Sequence, residues 1–223
     1  MIIEANKIYN MDCLDGMLLM KEQGIKADWI ITDPPYGIGE DGKKNHSRGV
    51  LAQAKQYTAK EWDKKRVEKQ YFDLMREISN EQIIFGGNYY TDFLPPSSCW
   101  IVWDKENGDS DFADCELAWC SRKSAVRVCR YRWAGMLQGN MKNKETRIHP
   151  TQKPLPVIEW ILNKYTNEGD LILDPFIGSG TTAAACHKLK RRYIGFELDK
   201  EYFDLAENRI KELKNQLSIF DFV

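Results

Sequence analysis

The chain has 223 residues and a formal net charge of −1, a length that suits one domain with a full hydrophobic core over residues 1–223. The N-terminus lacks a leader pattern and no apolar run is long enough to span a bilayer, so we expect a cytoplasmic protein without a membrane partner. The six cysteines and three histidines do not have zinc-site spacing, so we expect no metal centre and reduced thiols.

Apolar runs alternate with helical stripes along the chain, as in α/β proteins. In the first part of the chain, these patterns predict a strand within residues 2–9, a helix over Leu14–Glu22, a strand over Ala27–Thr32 and a helix within residues 62–79. Three strands are predicted next, over Gln82–Phe85, Ser98–Asp104 and Cys115–Cys120. The last part of the chain is predicted to alternate helix and strand: a helix from Pro154 to about Thr166, a strand over Leu171–Asp174, a helix from Thr182 to about Leu189, a strand over Arg192–Glu197 and a helix over Lys200–Asn215. Gly86 and Gly87 end one of these strands, where we expect close packing of neighbouring groups.

An acid, two prolines and a tyrosine, Asp33-Pro34-Pro35-Tyr36, follow the strand over Ala27–Thr32. An acid at the carboxyl end of such a strand faces the crevice where open α/β sheets bind ligands. The prolines fix the backbone and leave carbonyl acceptors, while the tyrosine offers a flat aromatic face. Together these groups suit an exocyclic amino group on a planar ring, although a plain proline turn with a packed tyrosine has the same residues.

A polar, glycine-rich stretch begins directly after Tyr36. Loops of this length are usually functional or disordered, and the position after the acidic turn predicts a mobile loop over residues 37–61 that folds over a substrate. Lys43, Lys44 and Arg48 are then available for phosphate groups. A solvated loop without such a role is the alternative.

Positive charge is concentrated between residues 121 and 148, where Glu145 is the single acid. The basic residues are Arg122, Lys123, Arg127, Arg130, Arg132, Lys142, Lys144 and Arg147. Such a patch on a near-neutral protein indicates a polyanionic partner, and a solvated basic face is the alternative. Gln138 lies among these residues, and its amide is suited to reading a base edge.

Two later strands also end in acids, Asp174 and Glu197. Between them, Gly178 and Gly180 permit a tight turn with close approach of the backbone to a ligand, and the amides that open the next helix can face a polar group. An acid at the end of the following strand is the usual device for holding ribose hydroxyls, which predicts that role for Glu197.

Residues 33–36, taken with Asp174-Pro175-Phe176-Ile177-Gly178-Ser179-Gly180, resemble the signature pair of S-adenosylmethionine-dependent DNA amino-methyltransferases. The catalytic motif precedes the cofactor motif, which is the order of the permuted β group of that family. His149-Pro150-Thr151-Gln152-Lys153-Pro154 is similar to the family's last cofactor-binding motif, and Asn10-Met11-Asp12-Cys13-Leu14 to the segment that lines the cofactor adenine. The resemblance spans roughly residue 6 to residue 210.

The resemblance implies a doubly wound, Rossmann-like methyltransferase sheet, mostly parallel with an antiparallel edge hairpin, in which residues 121–148 form a small target-recognition region. It implies S-adenosylmethionine as cofactor, with these residues around it: Asp12, Cys13, Asp33, Lys153, Asp174, Pro175, Phe176, Gly178, Ser179, Gly180, Thr181 and Glu197. Asp12 suits a helix cap equally well. Lys153 is expected to approach the cofactor carboxylate, and His149 to be structural or close to the cofactor.

The resemblance assigns catalysis to Asp33, Pro34, Pro35 and Tyr36. Asp33 and the Pro34 carbonyl are expected to accept the two amino protons of a flipped-out adenine in double-stranded DNA, with Tyr36 stacked on the base. Adenine N6 is favoured because N4-cytosine members more often have serine at the position of Asp33, and N4-cytosine is the first alternative. An RNA or protein methyltransferase, or an inactive DNA-binding accessory protein, is a further alternative.

The expected DNA contacts are made by Lys43, Lys44, Arg48, Arg122, Lys123, Arg127, Arg130, Arg132, Lys142 and Lys144. A second predicted partner comes from the apolar tail over residues 216–223. There, Gln216-Leu217-Ser218-Ile219-Phe220 resembles the short peptide by which bacterial proteins dock into the replication sliding clamp. Packing of the tail on its own domain is the alternative. By analogy alone, the family also implies a homodimer and a role in restriction–modification.

Overall fold

The computed structural model describes residues 1–38, 65–108, 113–134, 137–146 and 151–220. Within these ranges, the strands are β1 Lys7–Asn10, β2 Ala27–Thr32, β3 Ser79–Phe85, β4 Cys99–Asp104, β5 Cys115–Cys120, β6 Arg127–Arg130, β7 Trp133–Ala134, β8 Leu137–Gln138, β9 Leu171–Asp174 and β10 Arg192–Glu197. The helices are α1 Cys13–Glu22, α2 Lys69–Glu77, α3 Leu155–Tyr165, α4 Thr181–Lys188 and α5 Lys200–Phe220.

Eight of these strands form one sheet in the order β1-β10-β9-β2-β3-β5-β4-β6. Every pairing is parallel except those of β5, which runs antiparallel to β3 and to β4. The mostly parallel α/β fold is therefore confirmed. The hairpin of β4 and β5 forms as predicted but does not end the sheet, because β6 pairs outside β4. Strand β9 comes late in the sequence and lies between β10 and β2, near the centre.

The two faces of the sheet are covered by different helices, because successive side chains of a strand point to opposite faces. Ile172 of β9 packs in the cluster that contains the buried residues of α3, α4 and α5. Its neighbours Leu171 and Leu173 pack in a second cluster with α1 and α2. All four residues of β9 are buried, as is typical of a parallel strand covered on both faces.

The predicted elements need two corrections, whereas α2 lies where it was expected. α2 begins at Lys69 within the predicted range 62–79, and Val67 is buried in the segment before the helix. β6, within the basic region, was not predicted as a strand of the sheet. α5 continues through the predicted tail to Phe220 instead of ending near Asn215. The start of α5 is as expected, because Asp199 Oδ1 accepts hydrogen bonds from the amides of Glu201 (2.9 Å) and Tyr202 (3.3 Å).

Each of the six cysteines is a free thiol, and all but Cys115 are buried. None of the helices in the described ranges is long and apolar enough to cross a membrane. The predicted loop over residues 37–61 falls almost wholly outside the described residues, and so do its candidates Lys43, Lys44 and Arg48. Arg147 and His149 also lie outside them.

Candidate active site

The carboxyl ends of β2, β9 and β10 meet at an open cavity of about 820 Å³, a volume in the usual range for small-molecule sites. The sheet brings together most of the predicted site residues there, although they are far apart in sequence. Those that line the cavity are Asp12, Cys13, Asp33, Pro35, Lys153, Asp174, Pro175, Phe176, Gly178, Ser179, Thr181 and Glu197. Among the described residues, Pro34, Tyr36 and Gly180 are predicted members that do not line its wall.

Asp33 follows β2 and has partners on both carboxylate oxygens. Oδ1 accepts a hydrogen bond from the Tyr36 hydroxyl, and Oδ2 accepts one from Lys153 Nζ. Burial raises the pKa of the Asp33 carboxyl, and the ammonium of Lys153 opposes that effect. Burial also disfavours the Lys153 ammonium, but the carboxylates of Asp33 and Glu116 outweigh it and raise the pKa of Lys153. We therefore treat Asp33 and Lys153 as an ion pair.

The Tyr36 ring is fixed by the turn that follows β3. Gly86 has a left-handed backbone (φ +62°), and a Cβ there would overlap the ring. The ring stacks on Tyr89, with centroids 4.7 Å apart and planes 17° apart. The Tyr90 hydroxyl donates to the Pro35 carbonyl, so that carbonyl has a structural partner. The predicted packing role of Gly86 is thus confirmed: the absence of a side chain there leaves room for the Tyr36 ring beside Asp33.

The cofactor motif forms a turn held by its own acids. Asp174 Oδ1 accepts hydrogen bonds from Thr32 Oγ1 (2.7 Å) and the Phe176 amide (3.2 Å), and burial raises the pKa of Asp174 to about 6. Gly178 and Gly180 both have positive φ, at +49° and +73°. Glu197 accepts from the Gly178 amide at 3.0 Å, and burial raises its pKa to about 7. Its second oxygen accepts from the Asp199 amide at 2.8 Å.

Asp12 caps α1, since its Oδ1 accepts from the Leu14 amide at 2.7 Å. The capping interpretation is therefore confirmed. Asp12 also lines the cavity together with Cys13, whose thiol is buried and has its pKa raised by that burial. Contact of these two residues with a cofactor stays a prediction.

Lys153 lies in the segment before α3 and is only 10% exposed. It pairs with Asp33 and also lies 3.2 Å from Glu116 Oε2, at the start of β5. Lys105, after β4, pairs with the other oxygen of Glu116 at 2.7 Å. Although burial opposes it, the two ammonium groups lower the pKa of Glu116. No local sequence pattern marks Glu116 or Lys105, because their role depends on contacts across the sheet.

Gln138 does not offer its amide to a base edge, which corrects the prediction for this residue. The side chain is 7% exposed; its Oε1 accepts from the Glu145 amide and its Nε2 donates to the Glu145 carbonyl, both at 2.8 Å. Both ends of the amide are therefore used to fix the backbone of Glu145. A buried amide whose polar atoms have partners is a structural group.

Glu145, the single acid of the basic region, joins three parts of the site. Its Oε1 accepts from Gln152 Nε2 (2.8 Å) and pairs with Arg209 of α5 (2.7 Å), while Oε2 accepts from the Leu155 amide (2.9 Å) at the start of α3. Arg209 in turn donates to the Ser179 carbonyl at 3.2 Å. The basic region is thereby tied to the turn of the cofactor motif.

The predicted DNA-binding residues lie at two opposite edges of the sheet. Because β5 runs antiparallel to β3, the chain leaves β5 at the edge away from Asp33. A basic pocket of about 350 Å³ at that far edge is lined by Arg122, Lys123, Ser124, Arg127, Lys164 and Tyr165. The remaining described candidates, Arg130, Arg132, Lys142 and Lys144, lie between the carboxyl end of β4 and Glu145, on the catalytic side.

A ligand cavity at the carboxyl edge of a parallel sheet, with strand-end acids and a glycine turn, is typical of the α/β proteins that bind nucleotide cofactors. The chain belongs to the DNA methylase family, whose model matches residues 91–208. A similar protein is the Type II methyltransferase M2.MboI of Moraxella bovis, 29% identical over 92% of this chain and 88% of that protein. The Type II methyltransferase M.HinfI of Haemophilus influenzae is 26% identical over 94% of this chain and 69% of that protein.

Solved structures support the same assignment. The M1.HpyAVI–SAM complex has a TM-score of 0.58 with 26% identity, covering 91% of this chain and 98% of that one. The cytosine-N4-specific PvuII DNA methyltransferase has a TM-score of 0.56 and 14% identity over 91% of this chain and 85% of that one, a likeness of fold alone.

Proposed function

We propose that this DNA methylase transfers the methyl group of S-adenosylmethionine to the N6 amino group of an adenine in double-stranded DNA. The observation that carries the proposal is the position of Asp33, which lines the cavity beside the turn of the cofactor motif. The names of the relatives agree with it, since M2.MboI and M.HinfI are Type II methyltransferases.

The residues of the cavity fit the proposed cofactor. Glu197 retains lone pairs for hydroxyl donors beyond its two backbone hydrogen bonds. Phe176 and Ile177 supply apolar wall, and the volume accommodates a nucleoside with an amino-acid chain. When bound, S-adenosylmethionine supplies a methyl group on a positively charged sulfur, which is the electrophile of the reaction.

The chain's own residues make the amino nitrogen reactive by position and charge. The N6 lone pair is delocalised into the ring, so a carboxylate that accepts an amino hydrogen localises it on the nitrogen. Asp33 is that acceptor, while Tyr36 presents an aromatic ring behind it. The amino nitrogen would take the methyl group as the sulfur–carbon bond breaks with its electron pair left on sulfur, and the amino proton would pass to solvent by way of its hydrogen bond to Asp33. A paired base hides its amino group, so the target is flipped out at a cost of a few kcal/mol.

The test is incubation of the protein with tritiated S-adenosylmethionine and unmethylated DNA, followed by nucleoside analysis. N6-methyladenine is the expected product, and Asp33→Ala should lower the rate by about 10²-fold or more, because the acceptor for the amino group is gone. N4-methylcytosine would overturn the base assignment. Labelled RNA or protein without labelled DNA would contradict the assignment of DNA as the substrate. An active Asp33→Ala variant would contradict the assignment of Asp33 to the catalytic site.

We also propose that the DNA is held from the catalytic side by Arg130, Arg132, Lys142 and Lys144. Their support is their position on the side of the sheet where the cavity opens and the basic composition of the region, in which Glu145 is the single acid. The prediction for Arg122, Lys123 and Arg127 stays untested, and their position at the far edge argues for a smaller share in DNA binding.

Two further partners rest on the sequence resemblance. The end of α5, Gln216–Phe220, is proposed to bind the replication sliding clamp, and a pull-down with residues 216–223 deleted tests this: equal clamp retention would contradict it. A homodimer rests on family analogy, and sedimentation velocity that finds a monomer at working concentrations would contradict it.

A further inference from the structure

The cavity-side oxygen of Asp33 is already engaged. Lys153 lines the cavity and donates to Oδ2, whereas Tyr36, which holds Oδ1, is not part of the described cavity wall. An incoming amino group therefore meets a carboxylate whose open side is occupied by an ammonium. Oδ2 still has a free lone pair for an amino hydrogen, but the ammonium on the same oxygen weakens it as an acceptor for as long as Lys153 stays there.

Glu116 offers the place to which Lys153 can move. Its Oε2 lies 3.2 Å from Lys153 Nζ, so the ammonium already lies between two carboxylates. A small shift of the ammonium away from Asp33 would shorten its contact with Glu116. Lys105 holds the other oxygen at 2.7 Å, which keeps Glu116 in place when Lys153 shifts.

We propose that Lys153 and Glu116 are positioning residues for Asp33: Lys153 keeps Asp33 ionised while the site is empty, and Glu116 takes Lys153 from it when the base enters. The inference rests on the proposed function. The Lys153 ammonium stays paired throughout this shift, because the carboxylates of Asp33 and Glu116 both lie within its reach in the structure. It also withdraws positive charge from Asp33 when that carboxylate accepts the amino group, which strengthens it as an acceptor.

The titration of Asp33 depends on every charged or titratable group around it. These groups are Lys153 before α3, Glu116 on β5, Tyr36 on the same turn and Asp174 on β9, with Lys105 acting through Glu116. Burial raises the pKa of Asp33, and Lys153 is the one that lowers it by charge. Removal of Lys153 therefore leaves burial unopposed and should raise the pKa further. Removal of the Glu116 charge removes a repulsion and should lower it.

The experiment compares Lys153→Met and Glu116→Gln with wild type in three measurements: the pH profile of kcat/KM for methyl transfer, the cofactor Kd, and the ¹³C-carboxyl titration of Asp33 by NMR. The Asp33 signal is identified with Asp33→Asn. Lys153→Met should move the acidic limb and the Asp33 midpoint up by one pH unit or more. Glu116→Gln should lower kcat about tenfold, because Lys153 stays on Asp33, and should shift the midpoint down. Both variants should keep the cofactor Kd within about twofold.

The same two substitutions at an ion pair away from the cavity serve as the control. Lys188 and Glu159 lie 2.7 Å apart, and Lys188→Met and Glu159→Gln should leave all three measurements unchanged. A cofactor Kd raised tenfold in Lys153→Met, with the pH limb unmoved, would make Lys153 a cofactor ligand and overturn the proposal. A Glu116→Gln variant with wild-type kcat would overturn the role of Glu116.

The NMR titration separates this inference from the proposed function. A wild type without activity on DNA would refute the function alone, and an Asp33 midpoint unmoved in Lys153→Met would refute the inference in any case.

Discussion

At the scale of single residues, Gly86 shows how a backbone conformation positions the Tyr36 ring beside Asp33. A side chain at Gly86 has to accept φ +62° and also displace the Tyr36 ring, whose hydroxyl donates to Asp33. Misplacement of a positioned group by about 1 Å can cost 10²-fold in rate. Under the proposed function, the turn after β3 therefore supports the catalytic residues by packing, although it contributes no polar side chain to the chemistry.

Gly86→Ala should lower kcat for methyl transfer by about 10²-fold, because the added methyl pushes Tyr36 off Asp33. Gly24→Ala is the matched control: Gly24 also has a left-handed backbone (φ +67°), but a Cβ there meets no atom within 4 Å. Both variants should lose about 1 kcal/mol of unfolding free energy from the backbone, measured by urea titration. Equal loss of activity in the two would show that Gly86 acts through stability alone.

Glu197 predicts a pH dependence of cofactor binding. Its pKa is raised to about 7 by burial, so it is partly protonated at neutral pH. The ionised form is the better acceptor for hydroxyl groups, so binding strength should be fully present above pH 7 and be lost as the pH falls through that value. Calorimetry should show a Kd that rises as pH falls from about 8 to 5. Glu197→Gln should bind weakly with a flat profile, and a wild-type Kd constant over this range would contradict the ribose role.

At the scale of elements, Glu145 and Arg209 join the basic region to α3 and to the turn before α4. The pair is only 15% and 17% exposed, and Glu145 accepts two further hydrogen bonds at 2.8 Å and 2.9 Å. Removal of such a carboxylate takes away the acceptor of the Leu155 amide and the opposite charge beside the Arg209 guanidinium, whereas an exposed pair has water to replace it.

Glu145→Ala should therefore lower the free energy of unfolding by about 2–3 kcal/mol, measured by urea titration. Asp73→Ala is the comparison, because the Lys69–Asp73 pair on α2 is 59% and 43% exposed and should contribute about 0.5 kcal/mol or less. A double-mutant cycle between Glu145 and Arg209 should give a coupling energy above 1 kcal/mol. A coupling energy of zero would mean that the contact between the basic region and the turn before α4 does not contribute to the free energy of unfolding.

Sequence patterns predict the elements that depend on local signals. They fail where long-range contacts decide whether a segment forms a strand or a residue belongs to the site. The strands before Asp33, Asp174 and Glu197 are continuous apolar runs, so their acids were found. β6 was missed because its four residues are basic at both ends, and only pairing with β4 makes them a strand. Glu116 was missed for a related reason: its partner Lys153 is 37 positions away (153 − 116), beyond any local pattern.

At the scale of the whole molecule, the basic residues separate into two surfaces that one duplex cannot contact equally. Arg122 lies 3.8 Å from Glu81, near the start of β3. Phe85, at the catalytic edge, is four positions further along the same strand, which is about 13 Å at the rise of a β-strand. A duplex whose flipped base reaches Asp33 must lie across the catalytic edge. Contact with the far edge would then require the DNA to bend around the sheet, which costs energy.

This separation predicts different salt dependences of DNA binding for two matched double variants. Each phosphate contact contributes about 0.9 to the slope of log K against log salt, so Lys142→Gln with Lys144→Gln should reduce the slope by up to about 2 and weaken binding. Arg122→Gln with Lys123→Gln removes the same charge and should leave both quantities nearly unchanged. Fluorescence anisotropy with a labelled duplex at several salt concentrations measures both. If the two variants lose equal slope, the DNA wraps both edges, and the sheet is a surface around which it bends.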